Sequence, residues 1–114
     1  MKLSEIGKLL SCEFLYGKDN VDPDVTMVMG SDMMSDVLAF AKPGALLVTG
    51  LTNSQSVRTA DIADAVGIVY VRGKKPDAQT VKLGRELAIT LMSTEMSMVD
   101  TCAVLYAAGL RGIC

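Results

Sequence analysis

The chain has no histidine and no tryptophan, and only two phenylalanines, three tyrosines and three prolines. Without histidine, Ser-His and Cys-His nucleophilic catalysis is excluded, and a transition-metal site loses its commonest ligand. Cysteine is also scarce. Cys12, Cys102 and Cys114 are an odd set with no CxxC spacing. Cys12 and Cys102 fall in apolar segments and read as small buried hydrophobes; Cys114 reads as an exposed terminal thiol. No apolar run approaches the roughly 18 residues of a membrane span. The opening residues Met1–Glu5 lack the apolar stretch of a secretory signal. The expectation is a cytoplasmic protein with no membrane partner. Charge of one sign is lacking too: the net charge is −2 and the charges are scattered. No basic patch predicts a nucleic-acid partner. There is no Walker lysine pattern and no GxGxxG, so no cofactor is expected.

What remains is apolar material in ordered blocks. Half of the 114 residues are hydrophobic. A chain of this length most simply makes one domain spanning 1–114, and it can bury roughly two-thirds of its unfolded surface. The densest apolar stretch is Ala45–Gly73. Ala45–Thr49 and Ile68–Val71 are continuous apolar runs bracketed by Gly44 and Gly50, and by Gly67 and Gly73. Such runs suit strands covered on both faces. Between them, Val57, Ala60, Ala63 and Val66 recur at helical spacing over Ser54–Val66. The stretch therefore predicts a βαβ unit.

The rest of the chain extends this unit. Ser4 is placed to cap a short helix with Leu3, Ile6, Leu9 and Leu10 on one face. Cys12–Tyr16 reads as a strand that can pair antiparallel at an edge, and residues 17–20 as a turn. Val25–Met29 is a second strand. Ser31 is placed as the N-cap of a helix carrying Met33, Met34, Val37, Leu38 and Phe40, with Asp32 at its positive end. Asp77 can cap a helix to Leu87, whose inner face includes Gly84; the glycine would let that helix lie close to the sheet. Ile89–Met92 is the fifth strand. Ser97 can cap the last helix, which Gly109 ends. Five strands and five helices, alternating from Val25, predict an α/β fold with a mostly parallel sheet flanked by helices. The eight methionines include a cluster at Met27, Met29, Met33 and Met34, suited to filling core gaps or an adaptable interface.

Taken in order, these elements resemble the DRTGG domain, a module found in HPr kinase/phosphorylase, in CBS-containing pyrophosphatases and as stand-alone proteins. The likeness runs through Asp24-Val25, Ser31–Leu38, Gly44–Gly50, Arg72–Asp77 and Ile89–Thr94. It departs at the name-giving residues. Thr52-Asn53 stands where the family has Asp-Arg, and Val71-Arg72-Gly73 where it has Thr-Gly-Gly. The chain is most similar to the stand-alone branch. The resemblance implies a fold like the N-terminal domain of HPr kinase, self-association as a homodimer, and a regulatory or sensing role without known catalytic residues.

In open α/β sheets ligands bind outside the carboxyl ends of the strands. Here those ends carry Ser31 and Asp32, then Thr52, Asn53 and Ser54, then Arg72, Lys74 and Lys75, then Ser93 and Thr94. Helix N-termini and basic side chains together favour an anion, so a nucleotide or other phosphorylated metabolite is the expected small-molecule partner. Ser31, Ser54, Asp77 and Ser97 equally suit plain helix caps. Asp32 and Asp36, four residues apart, could share a helix face as paired carboxylates. Two functions follow from these features. One is a non-catalytic interaction domain that dimerises, through the Met33–Phe40 helix or the last helix, and biases a partner enzyme. The other is an enzyme acting on a phosphorylated or acyl substrate through Asp32, Asp36, Arg72 or Lys74, because without histidine a carboxylate or lysine must move the proton.

Overall fold

The structure is a computed structural model, and it describes residues 1–17 and 21–113. The turn expected at residues 17–20 is described only at Gly17, and Cys114 lies outside the described residues.

The chain forms one six-stranded sheet between two layers of helices. The elements follow as α1 (Leu3–Leu9), β1 (Glu13–Tyr16), β2 (Met27–Gly30), α2 (Met34–Phe40), β3 (Leu46–Thr49), α3 (Ser54–Ile62), β4 (Gly67–Tyr70), α4 (Ala78–Glu86), β5 (Thr90–Ser93), α5 (Met98–Ala107) and β6 (Arg111–Gly112). The strand order is β1-β5-β4-β3-β2-β6. Strands β2 to β6 pair in parallel, and β1 closes one edge antiparallel to β5. The α/β fold and the antiparallel edge agree with expectation. The sixth strand does not: β6 is two residues, Arg-Gly, too short to carry an alternating pattern. It is specified by backbone pairing beside β2, where Ile113 N–H donates to Val28 C=O at 3.0 Å.

The continuous apolar runs are explained by the layers. Side chains along a strand alternate between faces. Leu46, Val48, Val69, Val71 and Met92 pack with α1 and α5, whereas Leu47, Ile68, Tyr70 and Leu91 pack with α2, α3 and α4. Both faces of β3, β4 and β5 are therefore buried, and these strands need apolar residues at nearly every position. Of the methionine cluster, Met29 and Met34 are buried and Met33 is exposed. Cys12 and Cys102 are half-buried at the rim of the α1–α5 core rather than fully inside it. Burial pushes the Cys12 thiol up to about 11, which keeps it protonated and unreactive near neutrality.

Three expected caps are corrected. Helix α1 starts at Leu3, and Ser4 does not cap it: its N–H donates to the Asp22 carboxylate at 2.9 Å, as does its hydroxyl. The capping acceptor thus comes from 18 residues away in the chain. Leu9, expected on the inner face, is exposed. Helix α2 starts at Met34, so Ser31 is outside it; Ser31 Oγ instead accepts the Met33 N–H at 3.0 Å. Asp32 therefore precedes the helix and does not share a face of it with Asp36. Ser54 is the first residue of α3, with Asn53 at the N-cap position. Asp77 and Ser97 do cap α4 and α5, accepting the Thr80 N–H at 2.8 Å and the Asp100 N–H at 3.1 Å. Among the described residues no helix is long and apolar enough to cross a membrane.

Candidate functional site

Because β2, β3, β4 and β5 are parallel, the four loops at their carboxyl ends lie along one edge of the sheet. Gly50, at the end of β3, is the meeting point. Its N–H donates to Asp32 Oδ1 at 2.7 Å. Its carbonyl accepts from Lys74 Nζ at 3.3 Å. The Arg72 guanidinium lies over its α-carbon, 3.1 Å from where a Cβ would stand. Any side chain at position 50 would push this guanidinium away.

Asp32 is held from two sides. The same oxygen that takes the Gly50 N–H also accepts the Thr49 hydroxyl at 3.0 Å. The donated Gly50 N–H, the Thr49 hydroxyl and the charges of Arg72 and Lys74 hold its carboxyl below the ordinary carboxylate range, against a smaller opposing cost of desolvation. The edge therefore carries its own anion: an Asp32 carboxylate occupies the backbone donor that a ligand would otherwise meet.

Arg72 is presented by an unusual backbone. Lys74 N–H bonds Val71 C=O at 3.1 Å, closing a four-residue turn whose central residues Arg72 and Gly73 have φ of 58° and 68°. Positive φ at both central positions defines a type I′ turn, which favours Asn or Gly at the first. Gly73 meets that demand and Arg72 does not. The turn is braced from the next loop by Arg72 N–H to Met96 C=O at 2.8 Å and Gly73 N–H to Thr94 C=O at 2.7 Å.

The remaining expected residues divide. Thr52 is half-buried and Asn53 exposed at the opening of α3, where no side chain caps the helix. Ser54 Oγ shares a hydrogen bond with Thr80 Oγ1 at 3.3 Å. Ser93 Oγ donates to Lys74 C=O at 2.7 Å, so it supports the Arg72 turn from below. Thr94 Oγ1 faces the other layer and donates to Leu10 C=O at 2.8 Å. Lys75 is drawn away to Glu13 of β1, 3.0 Å from its carboxylate. The structure thus brings Asp32, Arg72 and Lys74 together around Gly50, keeps Thr52, Asn53 and Ser54 beside them, and takes Ser93, Thr94 and Lys75 out of direct reach. Thr49 was not singled out from the sequence. Its signal is a lone hydroxyl closing an otherwise apolar run.

No protein-family model matches the chain, and no curated protein does. Among solved structures it is similar to the CBS and DRTGG domains of the regulatory region of Clostridium perfringens pyrophosphatase, complexed with the activator diadenosine tetraphosphate. The TM-score is 0.72 at 15% identity, over 90% of this chain and 45% of that one. The chain thus spans less than half the length of the protein it matches. The likeness establishes a DRTGG-like fold, as the resemblance implies.

Proposed function

We propose that this chain is a non-catalytic regulatory or interaction domain that senses a small phosphorylated ligand and self-associates in the cytoplasm. The observation that carries the reading is the convergence of Arg72 and Lys74 on Gly50, beside the uncapped first turn of α3. Two cations and free helix N–H groups favour a phosphate-bearing partner. The similar pyrophosphatase region is regulatory and was captured with a nucleotide activator, which makes nucleotides the first compounds to try. Asp32 must move, or remain as a partner for a ligand hydroxyl, when an anion arrives.

The enzyme reading is weaker on physical grounds. A general acid or base works best with a pKa near the working pH. The hydrogen bonds to Asp32 move its carboxyl further from neutrality, not toward it. Self-association would use the exposed apolar residues of α2 (Leu38 and Phe40, with Met33 before it) or of α5 (Val99 and Tyr106).

A thermal-shift screen of nucleotides, including diadenosine tetraphosphate, tests the ligand. Stabilisation by several degrees that Arg72→Ala abolishes is the expected result; a flat screen removes the sensing role. Sedimentation at micromolar concentration tests self-association, and a clean monomer sinks it.

A further inference from the structure

Helices α3 and α4 pack side by side, and a groove of about 220 Å³ runs between them. One wall is Ser54 and Arg58, one turn apart on α3. The other is Gln79, Lys82, Leu83 and Glu86, one face of α4. Three of the six are charged and two of those are cations. Among the described residues the ion pairs are the Met1 amino terminus with Asp24 and Lys75 with Glu13, so neither Arg58 nor Lys82 is neutralised by a carboxylate.

The other cavities lack this chemistry. A cavity of about 500 Å³ lies at the opposite edge of the sheet; among the described residues it is lined by Asp64 and by no lysine or arginine. The groove between α5 and β6 contains Arg111, but that guanidinium sits 4.7 Å from the Tyr106 ring centre and donates to Leu110 C=O at 3.0 Å. The carboxyl edge has cations but already holds the Asp32 carboxylate. Among the described residues the α3–α4 groove joins a cavity to two cations on facing walls, neither ion-paired to a carboxylate.

We propose that this groove binds the phosphate monoester group of a small metabolite. A phosphate dianion offers three outward oxygens. The planar Arg58 fork can take two of them, and the Lys82 ammonium can approach as a point charge from the other wall. Gln79 supplies an amide donor on the Lys82 side. Glu86 is the only negative group on the lining, and it limits the net charge of the groove to that of one cation. A monoester with a hydroxyl or amine near its phosphate would satisfy Glu86 as well. This site is separate from the Gly50 edge, and it stands whether or not that edge binds anything.

The test is an amide-shift NMR titration of the whole chain with inorganic phosphate, then with glycerol 3-phosphate, at fixed ionic strength. Saturable shifts centred on Ser54, Arg58, Lys82 and Glu86 are expected with both. Arg58→Ala and Lys82→Ala each weaken binding about tenfold, as loss of a charge-assisted hydrogen bond should. Glu86→Gln strengthens it about twofold by removing a like charge. In Arg72→Ala the shifts at Ser54, Arg58, Lys82 and Glu86 stay as in the parent, whatever happens at Gly50, which separates this site from the carboxyl edge. Shifts that never saturate overturn the proposal. So do Arg58→Ala and Lys82→Ala proteins that are folded and bind phosphate as the parent does. Loss of binding in Arg72→Ala alone would move the anion to the Gly50 edge and also overturn it.

Discussion

Asp32 Oδ1 lies 2.7 Å from the Gly50 nitrogen, and this one hydrogen bond ties the loop after β2 to the loop after β3. The contact acts as both brace and electrostatic plug. It orders two loops at the carboxyl edge, and it places a negative charge beneath the Arg72 and Lys74 cations.

Asp32→Asn should therefore have two measurable effects. The substitution weakens a charge-assisted hydrogen bond at a partly exposed site, so a loss of about 1 kcal/mol is expected in urea unfolding. The pH dependence follows from the lowered carboxyl pKa. In the unfolded chain this group titrates near 3.8. Its contribution is complete above that value and disappears as the pH falls through the lower folded value. The parent protein should lose this stability below about pH 4, and Asp32→Asn should lack that part of the acid transition. Anion binding at the edge should tighten in the same variant, read by the thermal-shift screen.

Tyr70 and Ser56 form a buried pair at 2.9 Å, both fully shielded from water. Ser56 Oγ also donates to Asn53 C=O at 2.7 Å. Its single proton is thus committed, and the Tyr70 hydroxyl must be the donor of the pair. Ser56→Ala leaves that buried O–H without its acceptor and should cost about 1–3 kcal/mol. Burial pushes the Tyr70 hydroxyl up to about 12. The folded state therefore favours the neutral phenol. Its contribution is complete below the unfolded value of 10 and is lost as the pH rises toward 12. Tyr70→Phe should remove that alkaline loss in a stability-against-pH series.

Gly84 sits on the buried face of α4, where a Cβ would stand 2.6 Å from Leu91 Cδ1 and 3.1 Å from its Cγ. Helix propensity alone makes Gly84→Ala favourable by about 1 kcal/mol. Leu91 is fully buried, so it would have to shift within a close-packed interior. Overpacking of about 1–3 kcal/mol should outweigh the propensity gain. Equilibrium unfolding should show a net loss, and the smaller Leu91→Val should recover part of it in the double variant.

How much of this was readable in the sequence depends on whether the information is local. The Ala45–Gly73 βαβ unit was legible because glycines bracket two doubly buried runs. Asp77, Ser97 and Gly109 behave as caps because each acts within its own turn of helix. Ser4 and Ser31 fail as caps because chain entry from elsewhere decides them: Asp22 reaches α1 from 18 residues away, and α2 begins three residues after Ser31. The four carboxyl-edge loops could be enumerated, but not that Asp32 would fill the Gly50 donor, nor that Lys75 would turn to Glu13. The α3–α4 groove was invisible for the same reason. Arg58 and Lys82 belong to different helices, and only the packing of α3 beside α4 brings them to one cavity.

Arg72 carries the sharpest test of whether the edge is functional. A non-glycine residue in the left-handed region costs about 1–2 kcal/mol, and Arg72 stands there at φ 58°. Nothing in the turn's backbone requires an arginine: the bonds from Arg72 N–H to Met96 C=O and from Lys74 N–H to Val71 C=O would form with any residue at position 72. If stability alone mattered, Asn or Gly would stand at this position. Arg72→Gly should therefore raise the unfolding free energy by about 0.5–1 kcal/mol, the strain relief less the extra freedom that glycine gives the unfolded chain. The same variant should lose binding at the carboxyl edge, because its guanidinium is the cation lying over Gly50. Greater stability with lost binding would mark Arg72 as a side chain kept for a ligand at a cost to the fold. Greater stability with unchanged binding would show that the anion is held elsewhere, and the α3–α4 groove would then be the place to look.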